Sequence, residues 1–267
     1  MNKAEKSLYE IREMDDLAAG DSPVHRLWPL SKFFVTIAYI ITVMSFHKYD
    51  FNGLFVYVLY PVVMFQLSGV PVRTFFRKMR IVLPLVAAVG VFNPLFDRGI
   101  LLYVGNVGVS GGVVSMITLI LKGVFALMAS FVLVATTPID DLCAALRMIR
   151  VPAVIVSLLL LTYRYIGVLT EEVAVMTNAY HLRAPGQKGI HISAWGSFLG
   201  QLLLRSMDRA NELYASMQLR GFQGNFYYRE GKRARFADIL FLVLMIGIFV
   251  LLRFFPLTAW IGKLVVR

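Results

Sequence analysis

Acidic residues are scarce in this chain of 267 residues: 16 Asp and Glu face 27 Lys and Arg, for a formal charge of +11. Charged residues of both signs make up 16% of the chain, against ~25% in soluble globular proteins. Cysteine occurs once, at Cys143, which excludes an internal disulfide and reads as a small packing residue. The four histidines, His25, His47, His181 and His191, stand at no metal-ligand spacing from one another or from Cys143. There is no HExxH and no Gly-rich phosphate loop, so metalloprotease and nucleotide-binding motifs have no foothold. The opening MNKAEKSLYEIREMDD is polar and acidic, unlike a cleavable signal peptide, so insertion must use internal apolar segments.

What is abundant is apolar. Hydrophobic residues make up 58% of the chain, and its mean hydropathy is +0.69. That excludes disorder and argues against an ordinary soluble domain. The composition predicts an all-α polytopic membrane protein. In such a protein a surplus of Lys and Arg follows from the positive-inside rule rather than from nucleic acid binding.

A helix needs ~20 mostly apolar residues to cross the hydrocarbon core. Five stretches meet or approach this: Leu27 to Phe46, Phe51 to Leu67, Ile81 to Phe96, Val113 to Ala135 and Phe236 to Phe255. Trp28 suits an interfacial anchor, and Lys32 a snorkelling position. Arg73, Arg77, Lys78 and Arg80 form a basic loop with no acid among them, which places that loop in the cytoplasm. The N-terminus is then inside, and the 47–50 turn and the 97–112 connection are outside. Residues 1–135 thus form an N-terminal tail with transmembrane helices 1–4, 136–235 a cytoplasmic or interfacial region, and 236–267 a last transmembrane helix and tail. The C-terminus falls outside, against the charge of Lys263 and Arg267.

The 136–235 region holds twelve Lys and Arg against seven Asp and Glu. Its apolar run, 151–163, spans only ~20 Å as a helix, too short to cross, and reads as part of a long helix at the inner leaflet. Asp140-Asp141 after Thr-Thr-Pro marks a helix start. Two long helices follow. One runs from about Pro152 to Arg183, ended by Pro185-Gly186; the other runs from about Ser193, a candidate N-cap, to Arg220, ended by Gly221. Their apolar seams read Leu169, Val173, Met176, Tyr180 and Leu199, Leu203, Ser206, Ala210, Leu213, Met217. The small residues Ser206 and Ala210 are candidates for a close helix crossing. Arg205, Asp208, Arg209 and Glu212 lie opposite and read as a solvated face, while Glu171 and Glu172 read as helix-to-helix pairing groups. Lys122, near the middle of the fourth span, is either a snorkelling or buried structural lysine or a contact for a partner or an internal carboxylate.

Both long helices end alike, in Leu182-Arg183-Ala184 and Leu219-Arg220-Gly221. An arginine there can complement the helix dipole. It can equally enter a groove on another protein and pair with a carboxylate or with exposed carbonyls. Two such tips would bind two copies of one partner or two equivalent subunits.

These residues, with 135–172, 179–190 and 197–222 around them, resemble the transmembrane T component of energy-coupling factor (ECF) transporters, the CbiQ/EcfT family. The resemblance runs over nearly the whole chain. It implies two cytoplasmic coupling helices, each ending in an Arg-centred motif usually written Ala-Arg-Gly, docked into grooves on a pair of ABC-type ATPases. By position those motifs are Leu182-Arg183-Ala184 and Leu219-Arg220-Gly221, which depart from the pattern at the first residue and, in the first copy, also at the last. The resemblance further implies a non-catalytic subunit that couples ATPase motion to a membrane-embedded, substrate-binding S component. Such a subunit binds no cofactor directly, ATP and Mg being held by the ATPases, and the CbiQ-like character points to cobalt or nickel uptake. The alternatives are a conventional ABC importer permease, which offers one short coupling helix, and an integral membrane enzyme.

Overall fold

The computed structural model describes residues 3–96, 100–104, 107–187, 189–222 and 234–254. The helices are α1 (Lys3–Ala18), α2 (Pro23–Arg26), α3 (Pro29–Met44), α4 (Phe51–Phe55), α5 (Leu59–Ser68), α6 (Val72–Val91) and α7 (Asn93–Phe96). A hairpin of β1 (Ile100–Val104) and β2 (Val107–Ser110) leads into α8 (Gly111–Thr136), α9 (Ile139–Met148), α10 (Ala153–Arg183), α11 (Trp195–Leu219) and α12 (Phe236–Phe254). The chain is an all-α polytopic membrane protein, and the antiparallel hairpin is a small addition that the 97–112 connection did not announce. Among the described residues, α8, α10 and α12 are long and apolar enough to cross a membrane, and shorter apolar helices cover 29–44, 53–68 and 82–91. Lys263 and Arg267 lie outside the described residues.

The chain divides into two compact units: Leu17–Pro138 with Lys232–Arg267, and Met1–Asp16 with Ile139–Gly231. In the first, α3 packs against α8 and α12 around Val35, Tyr39, Val43, Phe125, Ala129 and Phe249. Polar groups in this apolar core are matched in sequence-distant pairs. The Tyr39 hydroxyl donates to Tyr57 O (2.8 Å), and the Tyr57 hydroxyl donates to Phe249 O (2.8 Å). A buried phenol in a lipid-facing unit is costly unless its hydroxyl finds an acceptor. The buried Asp238 carboxylate accepts the main-chain N–H of Trp28 (3.1 Å) and of Arg235 (2.9 Å), so one side chain satisfies donors at the start of both α3 and α12.

Two lysines join α3 and α8 reciprocally. Lys32 on α3 donates to Thr136 O at the end of α8 (2.7 Å), and Lys122 on α8 donates to Phe46 O just past the end of α3 (2.5 Å) and to Met44 O (3.4 Å). Each cation meets the carbonyls that a helix leaves unpaired at its C-terminus, where the dipole favours positive charge. The expected snorkelling of Lys32 is therefore wrong: it is buried, because a carbonyl within reach satisfies the ammonium better than a route to the interface.

Two further expectations change. The basic stretch 73–80 is not a loop but the first half of α6, which continues through Pro84 to Val91. Nothing from Val72 to Arg80 breaks a helix, and Phe75 packs edge-on against Phe65 (5.4 Å) and Phe131 (5.5 Å). Pro84 is tolerated because helices in an apolar setting can re-satisfy the freed carbonyl locally. The second apolar stretch is helical throughout but passes through a 3-10 turn at Val56–Val58.

In the second unit, α9 packs on α10 through Cys143, Val156 and Leu160. Burial pushes the Cys143 thiol pKa up, and the Asp140 carboxylate adds to this, so the residue is an unreactive packing group. Asp140 and Asp141 occupy the first turn of α9 as expected. The apolar 151–163 run belongs to the 31-residue α10, about 46 Å long, which removes the length objection to its crossing.

Candidate functional site

The two Leu-Arg-small sequences end α10 and α11, and both arginines are exposed. The leucine before each is bare: Leu182 is 85% exposed and Leu219 90%. Two leucines almost wholly in solvent, each beside an exposed guanidinium at a helix end, form tips that are at once apolar and cationic.

The helix ends are closed differently. At the end of α11 the Gly221 N–H donates to Gln218 O (2.9 Å) and the Phe222 N–H to Met217 O (3.0 Å), a Schellman cap. It requires the left-handed backbone of Gly221 (φ +78°), which glycine adopts without a β-carbon penalty. At the end of α10, Ala184 has φ −127°, open to any residue, and the left-handed position falls two residues later, at Gly186 (φ +91°). Alanine replaces glycine in the first motif because the chain turns later there.

The connection after α10 is tied back. The Tyr180 hydroxyl donates to Gln187 Oε1 (2.8 Å) and accepts the His191 N–H (3.2 Å). The His191 ring caps the 3-10 turn Ile192–Ala194 by accepting from the Ser193 N–H, so His191 takes the capping role expected of Ser193, and α11 starts at Trp195. Neither role could be read from spacing, since Tyr180 looked like a seam residue. With α11 starting beside Tyr180 and running 25 residues, the two tips lie on the order of 30 Å apart.

The α10 seam residues Leu169, Val173, Met176 and Tyr180 are half-buried. On α11 the covered positions are Phe198, Leu202, Ser206, Leu213 and Met217, whereas Leu199, Leu203 and Ala210 are exposed. The edge-on packing of Trp195 on Phe198 (6.0 Å) fits a rotation of α11 that leaves the expected Leu199–Leu203 seam outward. Ser206 donates to its own helix at Leu203 O (2.7 Å). The presumed solvated face supplies an ion pair instead: Arg205 binds Glu172, joining α11 to α10. Glu171 pairs with Arg12 of α1 (3.3 Å), and Asp15 accepts from the Tyr163 hydroxyl (2.5 Å). Nothing in the sequence flagged α1 as a companion of α10. Lys122 belongs to the other unit and is held by the carbonyls described above.

Comparison with known proteins bears on these tips. The family model described as CbiQ, cobalt transport protein, matches residues 20–230. The chain is 28% identical over 220 residues to the energy-coupling factor transporter transmembrane protein EcfT of Lactococcus lactis subsp. cremoris, covering 77% of this chain and 82% of that protein. It is 36% identical over 115 residues to the cobalt transport protein CbiQ of Rhodobacter capsulatus (42% and 46% covered). It is 31% identical over 119 residues to the nickel permease LarQ of Lactiplantibacillus plantarum (45% and 44% covered). A match over most of the chain, spanning both long helices and both Arg tips, shows that this protein belongs to the CbiQ/EcfT family of transporter membrane components.

Proposed function

We propose that this chain is the transmembrane coupling (T) subunit of an ECF-type ABC importer, taking up cobalt or nickel ions as cargo. The observation that carries the reading is the pair of separated, exposed Leu-Arg tips at the ends of α10 and α11. Each tip offers an apolar knob and a guanidinium fork to a groove on one ATPase, and two tips on the order of 30 Å apart suit two ATPase subunits. The helices behind the tips act as levers: closure of the ATPases on ATP moves the tips, and the far ends of the helices bias a membrane-embedded S component that holds the ion. Ser206 and the exposed Ala210 lie four residues apart, where a partner helix can approach closely. The chain itself binds neither ATP nor Mg. The setting is the cell membrane, with the N-terminus and the Leu-Arg tips of α10 and α11 in the cytoplasm. The cobalt or nickel assignment draws on the names of the CbiQ and LarQ relatives.

The test is co-purification from native membranes. Wild type should bring down ATPases and a small membrane subunit, whereas Arg183→Glu/Arg220→Glu should lose the ATPases while inserting and melting like wild type. ATPases retained in full by the double reversal would refute docking through these arginines. ATP hydrolysis by the purified chain alone would sink the coupling role.

A further inference from the structure

The first half of α6 carries an exposed stripe of positive charge. Arg73, Arg77 and Arg80 recur at spacings of four and three, which puts them on one stripe of the helix, and all three are exposed. Phe76, 63% exposed, sits within that stripe, and Val72, 46% exposed, lies beside it. The opposite side is anchored inward by buried Thr74, Phe75 and Met79, which fixes the rotation of the stripe. From residue 51 to residue 96 the sequence has no Asp or Glu. Helix stability does not account for the cations, since the first turns of a helix favour negative charge and α6 has none there. Directly after Arg80 the helix becomes apolar, from Ile81 to Val91. A basic, aromatic-bearing turn continuous with an apolar helix half is the arrangement that meets lipid headgroups at the edge of the hydrocarbon layer.

We infer that the Arg73–Arg77–Arg80 face of α6 is a docking surface for anionic phospholipid headgroups. The guanidiniums bind the phosphodiester through paired N–H groups, and Phe76 and Val72 enter the acyl boundary beside it. A lipid is favoured over an acidic protein partner because the exposed apolar groups are interleaved with the cations and the stripe runs straight into the apolar half. The inference rests on the membrane character of the chain and is independent of the coupling role.

The full-length protein in neutral detergent, titrated with phosphatidylglycerol or phosphatidylcholine and read by native mass spectrometry, tests it. Wild type should prefer phosphatidylglycerol by at least about tenfold. Each arginine near an anionic surface strengthens binding by roughly fivefold, so Arg73→Gln/Arg77→Gln/Arg80→Gln should bind it on the order of 100-fold more weakly. Arg147→Gln/Arg164→Gln/Arg209→Gln, with the same change in net charge, should bind like wild type. If the α6 triple variant fails to insert, Arg73→Gln and Arg80→Gln singly should each show the roughly fivefold loss. Equal affinity for both lipids, equal loss in the control triple, or undiminished phosphatidylglycerol binding in the α6 variants overturns the proposal. Unchanged lipid binding with loss of a co-purifying protein would assign the face to a protein partner instead.

Discussion

Gly221 and Ala184 occupy equivalent places in two similar motifs, yet their backbones make opposite demands. Gly221 closes a Schellman cap at φ +78°, where a β-carbon is disfavoured by about 1–2 kcal/mol. Gly221→Val should therefore fray the end of α11 and displace the Leu219-Arg220 tip, lowering the unfolding free energy by about 1–2 kcal/mol. Ala184→Gly should change it by less than about 1 kcal/mol, since φ −127° suits either residue. Thermal unfolding of the two variants, with helicity followed by circular dichroism, checks the contrast. Equal effects would mean that the caps are interchangeable. Gly221 as a helix stop was legible in the sequence because a glycine after a long periodic run is a terminator. The later turn at Gly186 was legible only as the dipeptide Pro185-Gly186, with no hint that it frees position 184.

The pairing of α3 with α8 rests on carbonyls that no neighbour in sequence can satisfy. Lys122→Met leaves Phe46 O and Met44 O without their donor in an apolar surrounding, at a cost of about 1–3 kcal/mol. Lys122→Arg should retain most of that stability. Lys48→Met, which loses only an exposed contact of the ammonium with the Tyr49 ring, should cost less, about 0.5–1 kcal/mol. Melting temperatures in one detergent compare the three, and a Lys122→Met protein as stable as wild type would show that the carbonyls find water or other donors. The bridge between α10 and α11 is of a different kind. Arg205 and Glu172 are partly exposed, so their pair helps set which faces meet and contributes little stability. The helices themselves were readable because an apolar repeat near 3.6 residues marks them whatever they pack against. Which face each turns inward was not: Leu199 and Leu203 look like core yet remain outside, and Arg205 looks like solvent yet makes a contact.

The two units do not follow chain order. Residues Met1–Asp16 group with Ile139–Gly231, held in part by Arg12 on Glu171 and Asp15 with Tyr163. Arg12 and Glu171 are 71% and 62% exposed at their side chains, so this tie is weak. Removing residues 3–16 should speed amide exchange a few-fold along α10 around Tyr163 to Glu172. Amides of α3 and α8 near Tyr39 and Ala129 should remain the slowest to exchange, as they line the buried core. Hydrogen exchange read by mass spectrometry on both proteins checks this. Faster exchange in α3 and α8 after the deletion would mean that the N-terminal helix supports the whole molecule.

Membrane character, the long helices and the Leu-Arg ends all lay open in the chain before folding, because they depend on local composition and period. An apolar run of given length either suffices to cross lipid or does not, and a terminating glycine acts on its own turn. The reciprocal lysines, the Asp238 carboxylate shared by two helix starts, the tie of α1 to α10 and the outward turn of the Leu199 face depend on which distant segments meet. A polar side chain in apolar surroundings is explained by its partner, and that partner is chosen by packing across tens or hundreds of residues.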